Sequence, residues 1–170
     1  EEVVAMGRIP HTSATMAESR RTIEQVIDEL GLSLLRQRDY TTLSGGEKQR
    51  VQIARVLAQV WNNLDGGCLL LDEPTAALDL RYQSDVMWKL QQLKHEGLTV
   101  VAVLHDLNLA ARFADHIVLL KDGGVLTQGD PGEVLMAQNV ELAYGLPVEV
   151  IDSKNGPVVV PISREAGSVD

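Results

Sequence analysis

The chain is poor in aromatic side chains, with Phe, Trp and Tyr making up 4 % of its 170 residues. A core must therefore be built from Leu, Val, Ile and Ala, and the 45 % hydrophobic content is enough for one domain. There is a single cysteine, Cys68, set in an apolar run. It excludes an intrachain disulfide framework and suits a reducing compartment. No stretch approaches the roughly 20 apolar residues of a membrane span, and no signal-peptide pattern opens the chain. Positive charge is scarce as well: 15 Lys and Arg stand against 24 Asp and Glu, for a net charge of −9. That balance argues against nucleic-acid binding, which needs a basic face, and against adhesion to anionic lipid by charge alone. Any membrane association is expected to run through a protein partner. The chain opens at Glu1, without Met, inside a helical-looking run from Glu1 to Met6. An upstream portion is expected.

Periodicity then orders the chain. Ile23, Val26, Ile27 and Leu30 recur at helical spacing from Met16 to Leu30, with Gly31 as the stop. After a loop, 36–43, a second helix is expected from Gly45 to Asn62, with Val51, Ala54, Leu57, Ala58 and Trp61 as its apolar stripe. Cys68-Leu69-Leu70-Leu71 reads as a strand buried on both faces. A helix from Asp79 to Glu96 follows, then a buried strand Leu98–Leu104, a short helix Leu107–Ala114 and a strand Ile117–Lys121. Asp122-Gly123 is a hairpin turn signal leading into Val125-Leu126-Thr127. Strands separated by helices indicate an α/β fold with a mostly parallel sheet. The remainder reads as a small α+β extension: short helices from Pro131 and near Val140–Tyr144, then extended 148–151 and 158–162 around Asn155-Gly156, and a tail, 163–170.

Four places carry chemistry. Asp72 and Glu73 close the run Leu69-Leu70-Leu71, at the C-terminal end of a strand, where open α/β sheets place their ligands. In phosphoryl-transfer sites an Asp there holds Mg²⁺, and a neighbouring carboxylate can orient or deprotonate water. Exposed acids at a strand end are the plain alternative. In Leu43-Ser44-Gly45-Gly46-Glu47, Ser44 and Glu47 suffice for a helix capping box. The paired glycines are poor helix formers, each costing about 1 kcal/mol against Ala. They make sense where bare N–H groups at a helix N-terminus must approach an anion. His105 follows the strand Val100–Leu104, where an imidazole could reach a terminal phosphate or simply face solvent. Asp79, in Ala76-Ala77-Leu78-Asp79, is explained as a helix N-cap.

Taken in order, the Leu-Ser-Gly-Gly-Glu run, the strand ending Asp-Glu-Pro, the Ala-Leu-Asp turn and the strand ending in His resemble ATP-binding-cassette (ABC) ATPases. The resemblance covers essentially the whole chain. It implies the C-terminal part of a P-loop NTPase-like α/β domain: a helical subdomain over 1–64, a catalytic core over 65–130 and the extension over 131–170. It implies ATP and Mg²⁺ as ligands. Ser44, Gly45, Gly46 and Glu47 would contact ATP held by the opposite subunit, Asp72 would assist Mg²⁺, and Glu73 would polarise the attacking water. His105 would sense the γ-phosphate, and Leu78 and Asp79 would lie in the loop that crosses to the partner.

The family's phosphate-cradling loop, G-x-x-x-x-G-K-[ST], is missing, and no Gly-Lys pair occurs at all. With it go the lysine on the β/γ-phosphates and a hydroxyl ligand of Mg²⁺. Since the motifs downstream are intact, truncation is the expectation, and so are weak ATP binding by this chain alone and a sheet with exposed apolar edges.

Within the family, Glu2–His11 is similar to importers of iron chelates, haem and cobalamin, and Arg38–Leu43, Ala54–Trp61 and Gly145–Val150 are most similar to ATPase subunits of haem importers. The resemblance implies a homodimer on the cytoplasmic face of the bacterial inner membrane, beneath a dimeric permease fed by a periplasmic binding protein. The cargo itself would touch no residue here: His11 and His95 are expected in solvent and His116 at a strand start. The segment before Thr15, Arg8 included, is expected to form part of the permease contact. Two rival readings are a non-transport cassette ATPase acting on DNA or ribosomes, and a regulatory chain that lends Ser44–Glu47 to an intact partner.

Overall fold

Helix formation starts where the sequence supplies caps. The computed structural model describes residues 1–162, so the segment read as a tail lies outside the described residues. Thr15 and Ser44 each open a helix through a complete capping box, with Glu18 and Glu47 as the reciprocal acids. These helices are α2, Met16–Glu29, and α3, Gly45–Val60; a short α1, Glu2–Ala5, and a 3₁₀ turn, Met6–Arg8, precede them. Gly31 ends α2 at φ +62°, a left-handed conformation that a glycine adopts without strain. Of the expected stripes, Ile23, Val26 and Ile27 from α2 and Val51, Ala54, Leu57 and Ala58 from α3 are buried, while Leu30 and Trp61 are half-buried; Ile53 of α3 is buried as well.

A β-α-β unit follows, comprising β1, Cys68–Asp72, α4, Leu80–His95, and β2, Thr99–Val103. The strands pair in parallel, Leu69 opposite Val100 and Leu71 opposite Ala102. A crossover helix is what a parallel pair requires. Asp79 caps α4, accepting the Tyr82 N–H at 3.0 Å, and Val86, Met87, Leu90 and Leu93 face inward.

One expectation is corrected here. Neither strand is buried on both faces: Leu69 and Leu71 are buried, but Leu70 is 71 % exposed and Val101 and Val103 each 53 %. With strictly alternating side chains, covering one face of a two-stranded sheet leaves the other open. Cys68 lies on that open side, exposed.

The chain divides into two compact units, Glu1–Val103 and Leu104 onward. The boundary falls inside the segment 65–130 read from the sequence as one catalytic core. The second unit contains α5, Leu107–Phe113, the antiparallel hairpin β3–β4 (Ile117–Lys121, Gly124–Gly129), α6, Pro131–Val134, α7, Ala137–Tyr144, and the hairpin β5–β6 (Val148–Ser153, Gly156–Pro161). Asp122 and Gly123 turn β3–β4 with φ of 49° and 77°, as the sequence led us to expect. In β5–β6 the turn residues are Lys154 and Asn155, one position earlier than read, because Gly156 pairs with Ser153. Ala111, Leu119, Val134, Leu135, Val140, Val148 and Val159 form this unit's core. Among the described residues no helix is long and apolar enough to cross a membrane.

Candidate active site

Both main elements of the candidate site lie in the first unit. β1 delivers Asp72 and Glu73 to its C-terminal end, where Asp72 is exposed and Glu73 half-buried. The start of α3 carries Ser44, Gly45 and Gly46. Packing explains why these two stretches adjoin the same loop, 73–79. A Cβ on Gly46 would lie 3.2 Å from the Ala77 carbonyl oxygen and 3.7 Å from Leu78 Cδ2. The first turn of α3 therefore rests on the loop, and the residue there is kept small. A Cβ on Gly45 would meet nothing within 4 Å. Its backbone faces open space.

The capping box is fully formed. The Glu47 N–H donates to Ser44 Oγ at 3.3 Å, and the Ser44 N–H donates to Glu47 Oε2 at 2.8 Å. The Ser44 N–H, then the Ser44 hydroxyl, hold the Glu47 carboxyl below its ordinary value. Arg38 adds an ion pair at 3.4 Å. Glu47 is thus spent on building the helix end, while the next N–H groups, of Gly45 and Gly46, have no carbonyl of their own helix to serve. The capping box is complete without using the N–H groups of Gly45 and Gly46.

Glu73 sits at φ 45°, in the left-handed region. For a non-glycine residue that costs on the order of 1–3 kcal/mol and persists only where the surroundings impose it. They do so here: the Glu73 N–H donates to Val103 O at 3.1 Å, continuing the β1–β2 ladder. Gln49 of α3 donates to the carbonyls of Glu73 and Pro74 at 3.3 and 3.2 Å. Pro74 and Thr75 are buried, and Gln83 donates to Thr75 O at 3.2 Å. Arg50 lies with its guanidinium 4.0 Å from the centre of the Tyr82 ring, joining α3 to α4. Gln49, Thr75 and Arg50 were not read from the sequence. A polar residue at a helical position gives no sign of which loop it faces.

A cleft of about 140 Å³ lies beside the acids, lined by Gln49, Gln52, Val56, Leu71 and Asp72 among others. A larger one, about 730 Å³, lies away from them, between the first residues of the chain and the stretch 36–40, with the Arg36–Glu1 ion pair at 2.7 Å. Among the described residues no three His, Cys, Asp or Glu side chains gather as a metal site. Asp72, exposed at the strand end, offers an oxygen ligand of the kind that suits a cation held chiefly by phosphate and water oxygens.

His105 belongs to the second unit, exposed, just before α5. Asp106 beside it is committed to capping, accepting the N–H groups of Asn108 and Leu109 at 2.8 and 3.0 Å. Two lesser expectations are corrected. Arg8 is 6 % exposed and donates to Ala58 O at 2.8 Å, so it secures the 3₁₀ turn to α3 and offers no docking surface. His11 is not simply in solvent; its Nε2 lies 2.7 Å from Gln59 O.

Residues 3–76 match the model of the family described as ABC transporter. The chain is 46 % identical over 166 residues to a hemin import ATP-binding protein of Gloeobacter violaceus, covering 95 % of this chain and 60 % of that protein. It is 40 % identical over 174 residues to the ferric enterobactin transport ATP-binding protein of Escherichia coli K12, covering 99 % of this chain and 62 % of the relative. It thus spans about 60 % of the length of these curated relatives. In structure it resembles a metal-chelate type ABC transporter in an inward-facing conformation, with a TM-score of 0.77 at 30 % identity, over 95 % of this chain and 65 % of that one. Sequence and fold agree: residues 3–76 match the ABC transporter model, and nearly the whole chain is similar to ATP-binding proteins of ABC transporters.

Proposed function

We propose that this chain is the signature-bearing and acid-bearing part of an ATP-hydrolysing motor subunit that drives import of an iron chelate, hemin before a siderophore. The observation that carries the reading is the joining of two unlike chemical features on one loop. Gly45 presents open backbone at a helix N-terminus whose next residue, Gly46, rests on that loop, and Glu73 is held in a left-handed conformation at the end of β1. Helix N-termini attract phosphate through unpaired N–H groups and the helix dipole. Phosphoryl transfer needs little more than positioning and charge stabilisation, so such parts are suited to the work.

The residues then take distinct roles. Ser44, Gly45 and Gly46 bind phosphate oxygens of an ATP held by a second subunit. Glu73 orients the attacking water and draws its proton. Mg²⁺, when bound, offsets the charge on the phosphates, and Asp72 helps to hold it. His105 contacts the γ-phosphate, and Leu78 and Asp79 extend toward the second subunit. Asp79 keeps its capping role while doing so, because one carboxylate oxygen serves the Tyr82 N–H. The partners are a second motor subunit and a dimeric permease at the inner face of the membrane. Hemin is favoured as cargo because relatives named for hemin import reach 46 %, against 40 % for the ferric enterobactin protein.

The test is calorimetric titration of the Glu73→Gln chain with Mg²⁺-ATP, together with co-purification against the permease. No binding up to millimolar ATP is expected, since the sequence has no Gly-Lys phosphate loop. Retention by the permease is expected too. Micromolar binding by this chain alone would overturn the assignment of Ser44–Glu47 to a partner's ATP. Failure to bind any permease would favour a non-transport cassette.

A further inference from the structure

We infer that Gln49 is a positioning residue that fixes the left-handed backbone of Glu73; its catalytic consequence rests on the role proposed for Glu73 above. Two non-glycine residues among those described have positive φ, Glu73 and Asp122. Asp122 sits in a two-residue hairpin turn, which imposes that conformation by itself. Glu73 instead opens a turn of the loop, its carbonyl accepting the Ala76 N–H at 3.2 Å, and contacts distant in sequence tie both ends of the residue as well.

On one side the Glu73 N–H is tied to Val103 O at 3.1 Å, which makes it the last rung of the parallel ladder. On the other, the Gln49 side-chain amide donates to Glu73 O at 3.3 Å and Pro74 O at 3.2 Å. An amide NH₂ has two protons, and here each has a carbonyl to meet. Rotation of the Glu73–Pro74 peptide toward an ordinary extended conformation would break this pair of bonds. The reach of Gln49 is fixed in turn by the packing of Gly46 on Ala77, which seats the start of α3 against the same loop. The helix that presents Gly45 and Gly46 to an anion therefore also holds the backbone of the acid. Nothing in the capping or burial of α3 requires an amide at this position. A neutral double donor is what two adjacent carbonyls require.

The experiment is solution NMR of this chain, reading the backbone shifts and the N–H to Hα coupling of Glu73. Gln49→Glu keeps the size and removes the donor; Gln49→Lys restores a donor. The left-handed pattern is expected in the parent chain and in Gln49→Lys, and lost in Gln49→Glu with the remaining α3 resonances in place. An unchanged Glu73 pattern in Gln49→Glu overturns the inference. In the ATP-hydrolysing dimer, Gln49→Glu should lower kcat by about 10- to 100-fold with KM for ATP unchanged, as expected for a displaced reacting group. Full turnover by Gln49→Glu beside an inactive Glu73→Gln would overturn the positioning role. Full turnover by Glu73→Gln would instead remove the catalytic reading of Glu73 and leave the backbone clamp standing on the NMR result.

Discussion

The Cα of Gly7 faces the carbonyl of Arg55 so closely that a Cβ there would lie 2.0 Å from the oxygen. The 3₁₀ turn 6–8 thus lies backbone to backbone on α3, with Ala58 as the other neighbour at 3.1 Å. Only a residue without a side chain permits that approach. Arg8, next in sequence, bonds to the carbonyl of Ala58. Gly7→Ala should therefore lift the turn off the helix and cost about 1–3 kcal/mol, the usual range for overpacking. Urea unfolding should show a lower midpoint at unchanged slope. An unchanged midpoint would mean that this contact does not form in solution.

The two faces of β1 call for opposite outcomes from neighbouring residues. Leu69 is 2 % exposed and Leu70 71 %. Leu69→Ala removes buried methyl groups and should destabilise by about 2–5 kcal/mol. Leu70→Thr places a strand-compatible polar residue on the open face and should stay within about 0.5 kcal/mol, while reducing self-association. Unfolding midpoints and sedimentation check both. Equal losses at the two positions would show that the open face is covered in solution.

The capping boxes should make the stability of this chain fall in acid. Glu18 and Glu47 have carboxyl groups held below their ordinary value of 4.5, first by the backbone N–H of Thr15 and of Ser44 respectively. A depressed native pKa contributes stability that is complete above the unfolded value and is lost as pH falls through the native one. The loss should therefore set in near pH 4.5 and continue below it. Gln can occupy the same box position without a titrating group. Glu18→Gln with Glu47→Gln should then flatten the fall in unfolding midpoint between pH 6 and pH 3. A double variant as acid-labile as the parent would assign the lability to other carboxylates.

Much of this was legible in the sequence because local rules and tertiary demands agree. Gly31 after an apolar helical stripe, Asp122-Gly123 between strands, and Ser44 three residues before Glu47 each state a local geometry, and each is found. What misled was burial. Leu69-Leu70-Leu71 is apolar throughout, and a continuous run cannot tell a strand covered on two faces from one covered on one. Gln49 and Arg8 were misjudged or passed over for a related reason. Their roles depend on carbonyls distant in sequence, at Glu73, Pro74 and Ala58, and no periodicity encodes those encounters.

Gly45 separates the cap from the anion site. As a helix residue in open surroundings it is replaceable: a Cβ there meets nothing within 4 Å, and Ala in place of Gly should gain about 0.5–1 kcal/mol by restricting the unfolded chain. If Ser44–Glu47 were only a capping box, Gly45→Ala would be a mild improvement in every assay. If the bare backbone approaches the phosphates of a partner's ATP, the added methyl holds them away from the N–H groups of the first turn. Loss of such preorganised donors lowers turnover by about 10²- to 10³-fold. The expected result is therefore a split: Gly45→Ala raises the unfolding midpoint of this chain and suppresses ATP turnover of the motor dimer it serves. Turnover that rises or holds alongside stability would reduce Ser44–Glu47 to a helix cap, because the methyl could then be accommodated where the phosphate was supposed to be.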